Sequence, residues 1–198
     1  MATNPSPKST PLQASDWVSA ATVRFTEQGI DAVRVELLAR DLNVSKGSFY
    51  WHFRGRQDLL EKLLDDWERS ELLWFETEDG FASAPRRWAR YIERAAAPQR
   101  VRMDVALRAW AYRDERVARR LAAVERKQTM CIANVLRDIG FQGRSAEMWS
   151  EIVHMVCLGW SDRAMRDREF YVASRGLGEF LSEVLLAASN RPAATPRG

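Results

Sequence analysis

A run of polar and aromatic side chains at residues 46–53 has the chemistry needed to bind nucleic acid. Lys46 and Tyr50 stand four residues apart and therefore share one face of a helix, while Phe49 and Phe53 share another. An ammonium group and a phenol can donate hydrogen bonds to phosphates and base edges, whereas two phenyl rings suit a core. A helix of about two turns is not stable alone. The pattern therefore predicts a short recognition helix, about residues 46–52, that packs on neighbouring helices.

The segment before this helix has the pattern of a helix followed by a tight turn. Apolar side chains recur at helical and turn spacing from residue 37 to residue 44, and a short polar break at 43–47 then changes the chain direction. Ser45 is well placed to cap the recognition helix, with its hydroxyl accepting a backbone N–H near Ser48. We therefore predict a helix-turn-helix at residues 35–60. Its expected core is Phe25, Leu38, Leu42, Val44, Phe49 and Phe53.

The charge of this segment favours a polyanionic partner more clearly than the charge of the whole chain does. The 198 residues carry a net charge of +3, with a pI near 9.1, which is compatible with nucleic acid but does not identify it. From Asp41 to Arg56 the only acid is Asp41, against Lys46, Arg54 and Arg56. The basic excess therefore falls on the predicted recognition helix.

Composition and motif spacing argue against several other classes of protein. With 29% charged and 46% hydrophobic residues, the chain is an ordinary globular one. Its two cysteines, Cys131 and Cys157, have no metal-ligand or redox spacing, and its two histidines are far apart. We find no glycine-rich phosphate loop and no catalytic constellation, so neither an enzyme nor a cofactor or metal is expected. The chain start lacks an apolar signal segment and no 18 apolar residues run together, so we expect a cytoplasmic protein without a membrane partner.

The apolar periodicity along the chain predicts an all-helical protein. We predict a disordered arm at residues 1–13, a three-helix helix-turn-helix domain at 14–60, a larger helical bundle for effector binding and dimerisation at 61–190, and a disordered tail at 191–198. Asp114 should cap a long helix that ends at Gly140. Two further helices, about residues 145–167 and 169–189, should close the bundle. No strand pattern of convincing length is present.

The two closing helices are apolar over more of their circumference than one core-facing stripe needs. They could pair with their copies in a second subunit as a four-helix bundle, which predicts a homodimer. Burial of both faces within one chain is the alternative. The predicted dimer interface consists of Trp149, Ile152, Val153, Val156, Phe180, Leu181, Val184 and Leu185.

Bulky side chains on several helices of the bundle could surround a small molecule. Aromatic walls with few polar anchors suit an apolar or aromatic ligand, although ordinary core packing explains the same residues. Arg108 has Asp104 one turn before it, so it is either an ion-paired internal charge or a ligand anchor. His154 is either a satisfied core imidazole or a ligand contact. The predicted effector site consists of Trp74, Trp88, Tyr91, Met103, Arg108, Trp110, His154, Met155 and Trp160.

The N-terminal segment resembles a known family in several independent positions. These positions are Ala20, Ala21, Phe25, Gly29, Leu38, Ala39, Val44, Ser45, Gly47, Ser48, Tyr50, His52, Phe53, Leu59 and Leu60. The segment is similar to the N-terminal domain of the TetR family of helix-turn-helix transcriptional regulators and covers roughly a quarter of the chain. Asn43 departs from the family pattern, which mostly has Gly there, but Asn accepts a left-handed backbone better than most residues. Val35 and its neighbours lack the Ser or Thr often found at the start of the second helix.

The resemblance implies a function and a set of contacts. It implies a homodimer that binds a palindromic double-stranded DNA operator, most often as a repressor, and is released by a small-molecule effector. By position, the DNA-contacting residues are Lys46, Gly47, Ser48, Tyr50, Trp51, His52 and Arg56, with Tyr50, His52 and Arg56 at phosphates. Trp51 could instead cover the first helix. The alternative function is a helical small-molecule-binding or protein-interaction module without specific DNA binding.

Overall fold

The computed structural model describes residues 12–78, 83–173 and 176–189. The predicted disordered tail, most of the predicted disordered arm and part of the connection after residue 78 lie outside these residues. Every regular element among the described residues is helical, which confirms the predicted all-helical fold. The helices are α1 Ala14–Gln28, α2 Val35–Asp41, α3 Lys46–Tyr50, α4 Arg56–Glu78, α5 Ala84–Ala95, α6 Pro98–Ala111, α7 Glu115–Ile139, α8 Arg144–Arg166, α9 Arg168–Ala173 and α10 Leu177–Ser189, with a 3-10 turn at Ile30–Ala32.

The chain divides into two compact units between Asp66 and Trp67, within α4. The first unit is built on a small aromatic core. The rings of Trp17 and Phe49 meet edge to face at 5.2 Å, and Phe49 stacks on Phe53 at 5.3 Å. Phe25 and Leu38 are also fully buried, whereas the predicted core residues Leu42 and Val44 are only partly buried. The short α3 is therefore held in place by packing, as its length requires.

The turn between α2 and α3 depends on a left-handed residue. Asn43 has φ of 53°, a conformation that Asn adopts more readily than most residues. Past it, the N–H of Val44 donates to the carbonyl of Ala39 at 2.9 Å, which closes the turn. The predicted Ser45 cap is wrong, because its hydroxyl accepts no capping bond. Instead, the N–H of Ser48 donates to the backbone carbonyl of Ser45 at 3.1 Å.

A buried arginine ties α1 to the end of α2. Arg24 is 9% exposed and donates to both carboxylate oxygens of Asp41, with Nη2 at 2.8 Å from Oδ1. Its Nη1 also lies 3.5 Å from the side-chain oxygen of Gln28. The hydrogen bond from Arg24 lowers the pKa of Asp41 below its ordinary value. The angle between these two helices is thus fixed by charge-assisted hydrogen bonds as well as by apolar packing.

The second unit is organised around the long helix α7. The side chain of Asp114 accepts hydrogen bonds from the N–H groups of Arg116 and Val117, as the sequence predicted for the cap. Gly140 ends the helix with φ of 121°, and the buried Phe141 donates its N–H back to Leu136 at 3.0 Å. A cluster of buried side chains from α5, α7, α8 and the connection between α7 and α8 forms part of the core: Trp88, Ile132, Val135, Leu136, Phe141, Ala146 and Val153.

The last helices of the second unit differ in part from the sequence prediction. The single helix predicted for residues 169–189 is described as two elements, α9 Arg168–Ala173 and α10 Leu177–Ser189, and residues 174–175 between them lie outside the described residues. Gly176 and Gly178 lie in this region, and glycine disfavours a continuous helix. The assignment of Val153 to a dimer interface is wrong, because Val153 is 1% exposed within the core of its own chain.

Candidate nucleic-acid interface and ligand cavity

Helix α3 separates a buried face from an exposed face. Phe49 is fully buried, whereas Tyr50 is 62% exposed and Trp51 is 88% exposed. Trp51 therefore does not cover the first helix. His52 and Ser48 are partly exposed, and Gly47 is exposed. A phenol, an indole and an imidazole are thus available at one end of the first unit, next to an exposed backbone.

The cations near α3 are engaged to different degrees. Lys46 donates to Glu36 at 2.9 Å, and both side chains are more than half exposed. The hydrogen bond from Lys46 lowers the pKa of Glu36. Arg54 is 91% exposed and pairs with Asp58 at 3.2 Å. Pairs this exposed contribute little to stability, so both cations can exchange a carboxylate partner for a phosphate.

Two of the donors that Arg56 would offer to a phosphate are engaged by backbone carbonyls of its own unit. Its Nε donates to the carbonyl of Val33 at 2.5 Å, and its Nη2 donates to the carbonyl of Ile30 at 2.6 Å. Both carbonyls lie at the 3-10 turn, and the carbonyl of Ile30 also accepts the N–H of Val33 at 3.3 Å. The partly buried guanidinium therefore holds the turn against the start of α4, and any phosphate contact would have to use its remaining donors.

Gly47 is not required by the packing of the free protein. A Cβ at this position would meet only the hydroxyl oxygen of Ser45, at an ordinary contact distance of 3.5 Å. The exposed backbone at Gly47 is instead suited to a close approach by a partner.

The second unit contains a polar cavity between α4, α5, α6, α7 and α8. Its walls combine aromatic, charged and small side chains: Trp67, Phe75, Tyr91, Arg94, Ala95, Arg100, Asp104, Arg108, Leu121, Glu125, Gln128, His154, Cys157, Leu158 and Ser161. Burial raises the pKa of the Tyr91 phenol well above its ordinary value and raises the pKa of the Cys157 thiol to about 11. Both groups are therefore neutral near pH 7.

A buried ionic network forms one side of this cavity. Glu71 is 3% exposed, and its carboxylate accepts from Arg94 at 2.7 Å, from Arg100 at 2.5 Å and from Gln128 at 3.2 Å. Arg100 also donates to both oxygens of Asp104, at 2.9 Å and 3.1 Å. Asp104, which stands one turn before Arg108 in the sequence, is thus paired with Arg100 instead.

The predicted effector residues are distributed over three cavities and the core. Tyr91, Arg108 and His154 line the polar cavity. Trp160 lines a second, larger cavity, and Trp74 and Trp88 line a third beside the core. Met103, Trp110 and Met155 line none of these three cavities: Trp110 is 5% exposed in the core, and Met155 is 59% exposed on the surface. The assignment of Met103, Trp110 and Met155 to an effector pocket thus stays a prediction without support from these three cavities, because periodicity alone does not give the direction of each side chain.

Sequence reasoning missed the acidic residue at the centre of the network. Glu71 lies four residues after Trp67 and four before Phe75, so it continues an apolar stripe of α4. A carboxylate at such a position is expected to be buried with cationic partners. That signal predicts a network, although it does not identify Arg94 and Arg100 as the partners.

The sequence of the first unit is similar to that of known bacterial regulators. Residues 18–63 match the family model described as bacterial regulatory proteins, tetR family. Over 47 residues the chain is 34% identical to an uncharacterized HTH-type transcriptional regulator, TtgW, of Pseudomonas putida. This match covers 24% of the chain and 35% of the relative's length. Residues 18–63 therefore have the sequence pattern of the tetR family of bacterial regulatory proteins.

The fold of the whole chain is similar to solved regulators at low sequence identity. A transcriptional regulator from Rhodococcus sp. Rha1 superposes with a TM-score of 0.72 at 15% identity, covering 91% of this chain and all of the other. A transcriptional regulator from Saccharomonospora viridis, solved in complex with choline, superposes with a TM-score of 0.69 at 15% identity, covering 87% and 92%. At this identity the likeness shows a shared fold: a TetR-type domain followed by a larger helical part.

The described residues contain no group of three or more His, Cys, Asp or Glu side chains that could hold a metal ion. No helix among them combines the length and the apolar composition that a membrane span needs.

Proposed function

We propose that this protein is a ligand-responsive transcriptional regulator that binds a palindromic DNA operator as a homodimer and is released by a small molecule, most often acting as a repressor. The observation that carries the proposal is the pair of exposed aromatic side chains at the end of α3, Tyr50 and the C-cap residue Trp51. Tyr50 and Trp51 are exposed although Phe49 and Phe53 beside them are buried. A phenol and an indole in this position contribute little to the core and can contact sugars, phosphates and thymine methyl groups in a major groove.

The size of α3 favours two copies on DNA. The helix has five residues, so one copy offers only a few contacts. A homodimer presents two such helices to two half-sites and roughly combines their binding free energies. A palindromic operator is the arrangement that matches this symmetry.

An exposed apolar stripe on α8 supports self-association. Met148, Ile152 and Met155 follow helical spacing and are 58%, 39% and 59% exposed, and Phe180 of α10 is 59% exposed. These side chains form the dimer surface that we propose, together with the half-buried Val156 and Val184. Trp149 and Leu181 pack against the core of their own chain and contribute at most their remaining exposed edges. The side chain of Leu185 lies outside the described residues.

The cavity of the second unit supports a response to a small molecule. Helix α4 carries Arg56 at its first residue and the cavity residues Trp67 and Phe75 farther along, so one continuous helix joins the two units. Ligand binding that favours one position of this helix would change the DNA-bound population. A solved neighbour with a similar fold is a choline complex, which shows that this fold has accommodated a small molecule in that protein.

Selection of bound fragments from a random duplex pool tests DNA recognition. We expect enrichment of a palindromic sequence and an affinity that falls steeply with salt, because phosphate contacts release counterions. Trp51→Ala or Tyr50→Ala should weaken operator binding by about 1–3 kcal/mol. Tyr112→Ala is the matched control, since Tyr112 is 91% exposed in the second unit and should not affect binding. A chain that binds small molecules but enriches no sequence would instead be a helical ligand-binding module.

Light scattering tests the homodimer. The wild type should be a dimer at micromolar concentration, and Ile152→Glu or Met155→Glu should shift it towards monomer because a charge would be buried in the interface. Met130→Glu is the control, because Met130 is 65% exposed on α7, away from the proposed stripe. A monomeric wild type, or equal effects of all three substitutions, would contradict the assignment.

A further inference from the structure

The polar cavity contains hydrogen-bond donors that have no acceptor in the part of the chain that the structure describes. Four of its lining residues each bury a nitrogen atom without a hydrogen-bond partner among the described residues: Trp67 Nε1, Arg94 Nε, Arg108 Nη2 and His154 Nε2. Trp67 is 6% exposed and His154 is 8% exposed. Buried polar groups nearly always have a partner, and leaving a donor unsatisfied is costly. The nitrogens of Trp67, Arg94 and Arg108 can only donate, and that of His154 donates in one of its two tautomers, so an acceptor is indicated in this cavity.

The acids near the cavity do not supply this acceptor. Glu71 and Asp104 are occupied by Arg94 Nη2, Arg100 and Gln128. Glu125 Oε1 lies 3.9 Å from His154 Nε2, which is too far for a direct hydrogen bond. Arg108 is therefore the cation in the cavity wall whose buried Nη2 faces no carboxylate among the described residues.

The volume of the cavity suits a head group rather than a whole ligand. Its volume is about 30 Å³, enough for about two water molecules or one carboxylate. The adjoining cavity is about 340 Å³ and shares Ala95 and Cys157 as wall residues. Most of its other walls are apolar, including Ile92, Val156 and Trp160. The pair of cavities thus has a small end with buried donors and a larger end whose walls are mostly apolar but include Glu93 and Glu179.

We propose that the effector is a small organic acid whose carboxylate is held by Arg108 and His154 in the polar cavity, with its apolar body directed past Ala95 and Cys157 into the adjoining cavity. This inference rests on the proposed function, because it names the chemical class of the effector. It replaces a purely apolar or aromatic ligand with an amphiphilic anion. A guanidinium binds a carboxylate through parallel N–H donors, and the indole N–H of Trp67 is a further donor in the same wall.

A cationic effector fits the same walls less well. An ammonium group offers no acceptor to the buried donors and would approach the positive charge of Arg108. Its anchor would have to be Glu125, whose side chain is 27% exposed, or one of the exposed Glu93 and Glu179 in the adjoining cavity, and all three are already solvated. Because the Saccharomonospora viridis neighbour was solved in complex with choline, cations are included among the probes below.

Calorimetric titration of the full chain without DNA distinguishes these head groups. Three probes share one aromatic body and differ in their head group: 3-phenylpropanoate, its primary amide and 3-phenylpropylamine. Choline is a second cation, and decanoate is a longer acid. We expect at least one carboxylate to bind, and the amide to bind about tenfold more weakly or worse, because it lacks the charge that the donors favour. Equal binding of acid and amide, binding of the cations alone, or no binding of either acid at low millimolar concentration would overturn the proposal.

Substitutions on α6 locate the site. Arg108→Gln should weaken carboxylate binding about tenfold or more, because it removes the guanidinium that pairs with the head group. Arg102→Gln should not change it, since Arg102 lies exposed on the same helix. Arg108→Gln should also leave the thermal stability of the unliganded chain unchanged or raised, whereas loss of a structural arginine would lower it. If Arg108→Gln does not fold, His154→Gln provides the same test. Unchanged carboxylate affinity in either folded variant would overturn the assignment.

DNA binding is measured separately on the unliganded wild type. Failure to enrich an operator would refute the proposed function while leaving the carboxylate titration interpretable. Failure of the titration, with DNA recognition intact, would refute only the effector class.

Discussion

The interior arginines of the two units differ in whether their donors are satisfied. In the first unit, Arg24 is held by Asp41 and Gln28, and two nitrogens of Arg56 donate to backbone carbonyls. In the second unit, Arg94 Nε and Arg108 Nη2 are buried without an acceptor among the described residues. The first unit thus uses internal charge to fix the arrangement of its helices, while the second retains unsatisfied donors beside a cavity. Rigidity suits a surface that reads DNA, and unsatisfied donors suit a site that gains a ligand.

The largest expected difference in stability is between substitutions of a buried and an exposed aromatic residue in the first unit. Phe49→Ala should destabilise the first unit by about 3–5 kcal/mol, because the ring is fully buried against Trp17 and Phe53. Trp51→Ala should change stability by no more than about 0.5 kcal/mol, since its indole is 88% exposed. Urea unfolding followed by circular dichroism measures both. Similar losses for the two variants would mean that α3 does not have one buried and one exposed face.

The ionic network of the second unit provides the next test. Glu71→Ala should cost about 3–5 kcal/mol, because it leaves Arg94 and Arg100 buried without the carboxylate that both contact. Glu68→Ala is the control on the same helix, where the carboxylate is 30% exposed and pairs with Arg120. Its loss should cost about 1 kcal/mol or less. The two unfolding midpoints in urea decide between a buried network and an ordinary surface pair.

The sequence predicts most of the fold but less of the cavity, for a physical reason. Helical periodicity, the Asp114 cap and the Gly140 stop are local signals, and the structure contains all three. Even the left-handed Asn43 is predictable, because its side chain tolerates that backbone. The walls of the cavity come from five helices, however, and their convergence is not encoded at any one spacing. His154 and Arg108 are candidates from the sequence alone, but their unsatisfied nitrogens depend on where Asp104 and Glu125 point.

Substitutions in the turn before α3 should have smaller effects on stability. Asn43→Val should cost about 1–3 kcal/mol, because a β-branched residue is strained at φ of 53°. Ser45→Ala should cost almost nothing, since the Ser45 hydroxyl accepts no capping bond. A functioning Ser cap would instead be worth about 1 kcal/mol. Thermal unfolding of the two variants therefore also tests whether Ser45 caps α3 in solution.

The smallest expected effect concerns the pH dependence of the Arg24–Asp41 pair. The hydrogen bond from Arg24 lowers the pKa of Asp41 from 3.8, so the folded state favours the carboxylate more than the unfolded state does. The resulting stability is present above the ordinary Asp pKa and is lost as the pH falls through the lower folded value. Asp41→Asn should therefore be less stable than wild type at pH 7, and the difference should shrink below about pH 4.

Melting temperatures across this range measure the effect of Asp41. It is expected to be small because the Asp41 side chain is 37% exposed and water screens the pair. Arg24→Gln combined with Asp41→Asn is the reference, since it removes both charges and should lose this component of the pH dependence. A difference between Asp41→Asn and wild type that stays constant down to pH 3 would show that the ionised carboxylate does not fix α1 against α2. The contrast between a satisfied arginine in the first unit and unsatisfied arginines in the second would then have to rest on Arg56 alone.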